Sequence, residues 1–135
     1  MNRETLIIDD DKIMCIMHEK LCRLHKLPSP RAFTTAKEAL AYILVNDHPG
    51  QSFTILLDIN MPVMNGWQFL EALGGYELSA DLYLILLSSS IDRSDMERAK
   101  GYPLVDAFIS KPLNISKIQL LLEDTKLRER TDVLS

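Results

Sequence analysis

Four groups of residues along the chain could do chemistry. Asp9, Asp10 and Asp11 are consecutive, while Asp58, Ser88 and Lys111 stand apart. Each group follows an apolar run: Leu6-Ile7-Ile8, Phe53 to Leu57, Leu82 to Leu87, and Leu104 to Ile109. Separately each is weak evidence, because strands usually end in something polar. Gathered at one edge they would make a reactive site. Several crowded carboxylates repel one another and need a cation. An oxygen-only ligand set suits Mg2+, which keeps several waters and prefers one or two carboxylates plus phosphate oxygens. One carboxylate could then act as nucleophile and become an aspartyl phosphate. Phosphoryl transfer asks mainly for positioning and charge neutralisation. Lys111 would supply a mobile positive charge, and Ser88 a hydroxyl donor.

The elements that must position these groups follow from apolar periodicity. Residues 11–26 have helical spacing and stop before Pro28. Arg31-Ala32-Phe33 reads as a weak second strand. Thr35 and Glu38 resemble a capping box opening a helix to about Asn46. His48 to Ser52 reads as a turn, Met61 to Gly66 as a loop, and a short helix ends at Gly74-Gly75. Asp92 would cap a fourth helix ending near Gly101, and Asn114 a last helix carrying Ile115, Ile118, Leu121 and Leu122. The pattern is (βα)5. Continuous apolar strands between helices imply an α/β fold with a parallel sheet covered on both faces. In such a sheet, ligands bind outside the carboxyl ends of the strands, where strand order reverses. The four polar groups fall at those ends.

Composition narrows the classes. A chain of 135 residues fits one domain and can bury a core without a disulfide or metal to fold it. Hydrophobic residues at 47% and charged residues at 25% argue against disorder. A net charge of −4 argues against nucleic acid and anionic membrane as partners. No apolar run approaches the roughly 18 residues of a membrane helix. Met1 to Thr5 do not open a signal peptide, so the expected compartment is cytoplasmic. Cys15 and Cys22, on one helix, would lie about 10 Å apart, too far for a disulfide. They read as buried or half-buried thiols and not as a bridge or metal pair, with His18 and His25 at the helix surface or core edge.

The motifs carry a family resemblance over essentially the full length. Leu6-Ile7-Ile8-Asp9-Asp10-Asp11, Ile55-Leu56-Leu57-Asp58-Ile59-Asn60-Met61-Pro62-Val63-Met64-Asn65-Gly66, Ile85-Leu86-Leu87-Ser88-Ser89 and Phe108-Ile109-Ser110-Lys111-Pro112 resemble the receiver domain of bacterial response regulators. The Asp-x-x-Met-Pro-x-x-x-Gly stretch is the most specific. The resemblance implies a flavodoxin-like (βα)5 three-layer sandwich with five parallel strands in the order 2-1-3-4-5, receiver domain over 1–128 and a polar tail over 129–135. It implies phosphorylation on Asp58, and Mg2+ held by Asp9, Asp10, Asp58 and the backbone carbonyl of Asn60. Ser88 and Lys111 would contact the phosphoryl group, and Phe108 stands at the aromatic switch position. The Lys111-Pro112 bond would be cis. A sensor histidine kinase or histidine phosphotransfer protein would donate the phosphoryl group, meeting Ile13, Met14 and Met17 on the first helix. With no output domain in 135 residues, a stand-alone receiver is expected, signalling to an unknown protein through the face of helix 4, strand 5 and helix 5. It would catalyse only its own phosphotransfer and dephosphorylation. Ser88 replaces the commoner Thr, and Phe108 lacks the hydroxyl of Tyr. Asn60 and Ser90 occupy positions that bear on phosphoryl lifetime.

Other readings compete. Asp11 suits a helix N-cap better than a ligand. Asn65-Gly66 alone reads as a turn, and Trp67 as half-buried packing. A haloacid-dehalogenase-like phosphatase would use Asp9 of Asp9-Asp10-Asp11 as nucleophile. The motif around Asp58 would then go unexplained. The third reading is a receiver-like module that signals by contact without phosphorylation; the intact set of Asp9, Asp10, Asp58, Ser88 and Lys111 argues against it.

Overall fold

The structure, a computed structural model, describes residues 2–89 and 93–128. The elements run β1 (Asn2–Ile8), α1 (Lys12–Leu24), β2 (Pro30–Phe33), α2 (Ala36–Val45), β3 (Gln51–Asp58), α3 (Gly66–Gly74), β4 (Asp81–Ser88), α4 (Arg93–Lys100), β5 (Val105–Ser110), α5 (Ile115–Leu121) and α6 (Thr125–Arg128). The five strands are parallel, in the order β2-β1-β3-β4-β5. The expected flavodoxin-like topology is therefore present.

The two-residue period of the strands sorts their side chains onto two faces. Leu6, Ile8, Ile55, Leu57, Leu84 and Leu86 point to one face and meet α2, α3 and Ala99 of α4. Ile7, Leu56, Ile85 and Leu87 point to the other and meet Cys15 and Cys22 of α1, Ile118 and Leu121 of α5, and Leu127 of α6. All eight residues of β3 are buried, which is why this strand shows no polar alternation. Both cysteines are free thiols, as expected. Burial pushes Cys15 up to about 11 and Cys22 to about 12, so neither is a ready nucleophile.

Several boundaries differ from the sequence reading. β1 starts at Asn2, not Leu6, and β3 at Gln51, inside the expected turn, because Asn2 pairs with Gln51 and Arg3 with Ser52 in the ladder. Asp11 caps α1 through Ile13 and Met14 N–H, as expected. Thr35 caps α2 by accepting from Glu38 N–H, which is one half of a capping box. The full reciprocal box belongs to α3, where Asn65 and Gln68 each bond the other's backbone. Trp67 is buried rather than half-buried. Its ring stacks on Tyr102, 5.6 Å between centroids, and carries the Arg98 guanidinium 4.5 Å away on α4. The proposed Asp92 cap, Ser90 and the 129–135 tail lie outside the described residues.

Candidate functional site

The register assembles the site. Ile8 pairs with Leu57, Asp58 with Leu87, and Ser88 with Ser110, so Asp9, Asp58, Ser88 and Lys111 emerge at one edge. β1 lies between β2 and β3 here, which is the point where strand order reverses. Backbone bonds extend the ladder past the strand ends. Asp9 N–H donates to Phe33 O at 3.0 Å, Ile59 N–H to Leu87 O at 3.1 Å, and Lys111 N–H to Ser88 O at 2.7 Å.

Asp9 is buried and held from several sides. Its Oδ1 accepts from Asp11 N–H at 2.9 Å, and its carbonyl accepts from the Cys15 thiol at 3.2 Å. Its Oδ2 lies 2.8 Å from Lys111 Nζ. That is an ion-pair distance. Asp58 is buried too; its Oδ1 lies 3.5 Å from the same ammonium and accepts from Asn60 N–H at 3.4 Å. Asp10 is exposed at the rim, with Asn60 also at the surface. Carboxylate oxygens of Asp9, Asp10 and Asp58 come within 4.8 Å of one another.

One ammonium thus serves Asp9 and Asp58, with the Asp10 carboxylate crowded beside them. The imbalance registers on Asp58: burial, then the charge of Asp9, push its carboxyl up to about 6, against the pull of Lys111 and the Asn60 N–H. Burial disfavours the Lys111 ammonium, but bonding and attraction to Asp9 and Asp58 outweigh it, and its pKa is held above the ordinary lysine value. A hard divalent cation fits this oxygen-only, charge-excess set.

Gly66 lets the loop after Asp58 fold back against the end of β3. A Cβ there would sit 2.8 Å from Asp58 O and from Ile59 Cα, and Gly66 N–H donates to Ile59 O at 2.8 Å. The glycine is required by this close approach, not by the chain reversal that the sequence suggests. Ser88 is fully buried at the end of β4. Phe108 is half-buried on β5, opposite Leu86, and packs against the α2–α4 side. The Lys111-Pro112 peptide is cis. On α1, Ile13 is 71% and Met17 43% exposed, with Met14 half-buried.

A model of the response regulator receiver domain matches residues 5–123. The chain belongs to the response regulator receiver domain family. Two solved structures are similar to it. A two-component response regulator from Cytophaga hutchinsonii is 25% identical, with a TM-score of 0.77, over 95% of this chain and 99% of that one. A response regulator receiver protein from Dyadobacter fermentans is 30% identical, with a TM-score of 0.75, over 89% of this chain and 94% of that one. Among curated proteins, the two-component response regulator ORR24 of Oryza sativa subsp. indica is 25% identical over 94% of this chain. The chain spans about a fifth of that protein, the alignment covering 19% of it. Receiver membership, and not the phosphatase alternative, accounts for the Asp58 motif. A receiver is a signalling domain, and accepting a phosphoryl group is general to the family. Among the described residues, no helix is long and apolar enough to cross a membrane.

Sequence reading missed two residues next to this receiver site. His18, expected at the surface or core edge, is fully buried, and its Nε2 accepts from Leu113 N–H at 3.2 Å. Lys117 Nζ donates to Ser110 O at 2.7 Å and to Pro112 O at 2.9 Å. Neither contact has a local signal, because each depends on where another element ends.

Proposed function

We propose that Asp58 accepts a phosphoryl group from a phosphohistidine donor and that the chain passes the signal on by protein contact. The carrying observation is the position of the buried Asp58 carboxylate, beside the Asp9 and Asp10 oxygens and 3.5 Å from Lys111 Nζ. With its pKa near 6, Asp58 is mostly ionised at neutral pH and can act as nucleophile. An Asp58 oxygen attacks phosphorus, the N–P bond breaks, and its electron pair returns to the donor imidazole. Lys111 swings its ammonium from Asp9 and Asp58 toward the phosphoryl oxygens, and Ser88 donates its hydroxyl to one of them. Asp9, Asp10, Asp58 and the Asn60 carbonyl would hold Mg2+, which offsets the negative charge of carboxylates and phosphoryl oxygens. The same groups would serve the domain's own dephosphorylation.

Ile13, Met14 and Met17 are the proposed docking residues for a sensor histidine kinase or histidine phosphotransfer protein. Two of the three are exposed, and Met17 also lines a groove of about 550 Å3 with Leu21, Pro112 and Ile115. A helix laid there would use i, i+3, i+4 anchors. On phosphorylation, movement of Ser88 would open space for Phe108 to turn inward and reshape the α4-β5-α5 face, where a downstream protein binds. The compartment in this reading is the cytoplasm.

The test is incubation with acetyl phosphate and intact-mass measurement. The expected outcome is gain of one phosphoryl unit with Mg2+ and almost none with EDTA. Equal labelling in the two would remove the metal from the mechanism, and no labelling in either would remove phosphorylation.

A further inference from the structure

The lysine that serves the acidic pocket is itself held by two residues outside it. Lys117 clasps the carbonyls of Ser110 and Pro112, which flank Lys111 on either side. His18 accepts the N–H of Leu113, the next residue along. Lys111 N–H is tied to Ser88 O. Four consecutive residues are therefore pinned from β4, α1 and α5.

Both residues are awkward choices for packing alone. Lys117 puts a cation in the first turn of α5, where the helix dipole disfavours one. Its long side chain also loses rotamer freedom to reach the carbonyls. His18 is fully buried, and its Nδ1 has no hydrogen-bond partner among the described residues. An orphaned buried polar atom is a cost that an apolar side chain would avoid. What each gains is a bond to the backbone around Lys111, and in Lys117 those bonds are charge-assisted and short.

We propose that Lys117 and His18 are positioning residues that fix the backbone around Lys111 and so aim its ammonium at the phosphoryl-accepting carboxylate. The inference rests on the proposed phosphorylation of Asp58. Misplacing a catalytic charge by about 1 Å can slow a reaction up to about a hundredfold. Losing one of several tethers should cost less, about fivefold to twentyfold by the same scaling.

The experiment measures labelling by saturating acetyl phosphate in Lys117→Met, Lys117→Arg and His18→Leu, with Mg2+ affinity followed separately by calorimetry. Lys117→Met is expected to label about fivefold to twentyfold more slowly, with Mg2+ affinity within about twofold of wild type, because the acidic ligands are untouched. Lys117→Arg should recover most of the rate, and His18→Leu should resemble Lys117→Met. The decisive arm is the cycle with Lys111→Met. In that background Lys117→Met should slow labelling no further, because it acts only through Lys111. Wild-type rates in both single variants, or an undiminished effect of Lys117→Met once Lys111 is gone, would overturn the inference. Should Lys117→Met not fold, Lys117→Gln gives the same reading. Absence of labelling in the wild type would instead bring down the proposed function, and the inference with it.

Discussion

At the end of the sheet where β1 and β3 begin, one carboxylate is surrounded by donors. At the end where they finish, two buried carboxylates share one ammonium, with a third, Asp10, crowded beside them. Glu4 accepts from the Tyr42 hydroxyl and, at 3.1 Å, from Gln51 Nε2, with Arg31 Nε 3.9 Å away. Arg31 in turn lies over the Tyr42 ring, 4.8 Å from its centroid. Asp9 and Asp58 are more deeply buried than Glu4, yet both depend on the Lys111 ammonium. Left-handed residues occur at both ends, with Lys26 at φ 61 and Ser29 at φ 41 preceding β2. The left-handed residue before β3 is Gly50, at φ 91, where glycine adopts the conformation freely. In the loop after Asp58 it is Val63, at φ 67, a β-branched residue for which that region is unfavourable. One end is built to be stable by itself. The other carries excess charge that a ligand could relieve, which is how functional sites commonly differ from structural ones.

The largest expected effect that separates the ends is a stability change of opposite sign. In EDTA at pH 7.5, Asp58→Asn should stabilise the domain by about 1–3 kcal/mol, since it removes a charge that folding buries beside another. Glu4→Gln should destabilise it by about 0.5–1.5 kcal/mol, since it weakens a satisfied network. The pH dependence follows from the raised folded-state pKa of Asp58, about 6 against an ordinary 3.8. Below the unfolded value the group is neutral in both states, and Asp58→Asn gains nothing. As pH rises from about 4 to about 6, the unfolded state releases the proton first and the wild type loses stability. Above about 6 the advantage of the variant is constant. Urea unfolding across this range measures it. A destabilised Asp58→Asn at pH 7.5 would mean that the two ends do not differ in the way described.

A smaller effect concerns two of the left-handed positions. Val63 is 90% exposed, so its substitution disturbs little packing. Val63→Asn should stabilise by about 0.5–1 kcal/mol, because Asn tolerates the left-handed region better. Gly50→Ala should cost about 1 kcal/mol, although nothing lies within 4 Å of the added Cβ. Thermal unfolding of the two variants reads both, and a destabilised Val63→Asn would show that Val63 is not strained as its dihedral indicates.

The site end was also the more legible end in the sequence. Asp9, Asp58, Ser88 and Lys111 each close an apolar run, and a parallel sheet brings such ends together whatever the detailed packing. The parts that stayed hidden depend on partners far along the chain. Asn2 and Gln51 look like a terminus and a turn, and become strand only by pairing with each other. α6 lies in a polar stretch, where the buried Leu127 docks it against the sheet. Asn65 looked like half of a turn because its capping partner is Gln68, while Thr35 and Glu38, which fit the box by spelling, complete only half of it. His18 reads as one more residue on an amphipathic helix until the loop after Lys111 is set beside it. Spelling reveals what the strand ends carry, but not which side chains hold those ends in place.

Locating the phosphoryl-bearing residue tests the account most directly. The protein is treated with acetyl phosphate and Mg2+, reduced with borohydride to convert an aspartyl phosphate to homoserine, digested, and sequenced by mass spectrometry. The account predicts homoserine at position 58 and unmodified aspartate at 9 and 10. Homoserine at position 9, or at no aspartate in a sample whose intact mass has risen by one phosphoryl unit, would contradict it.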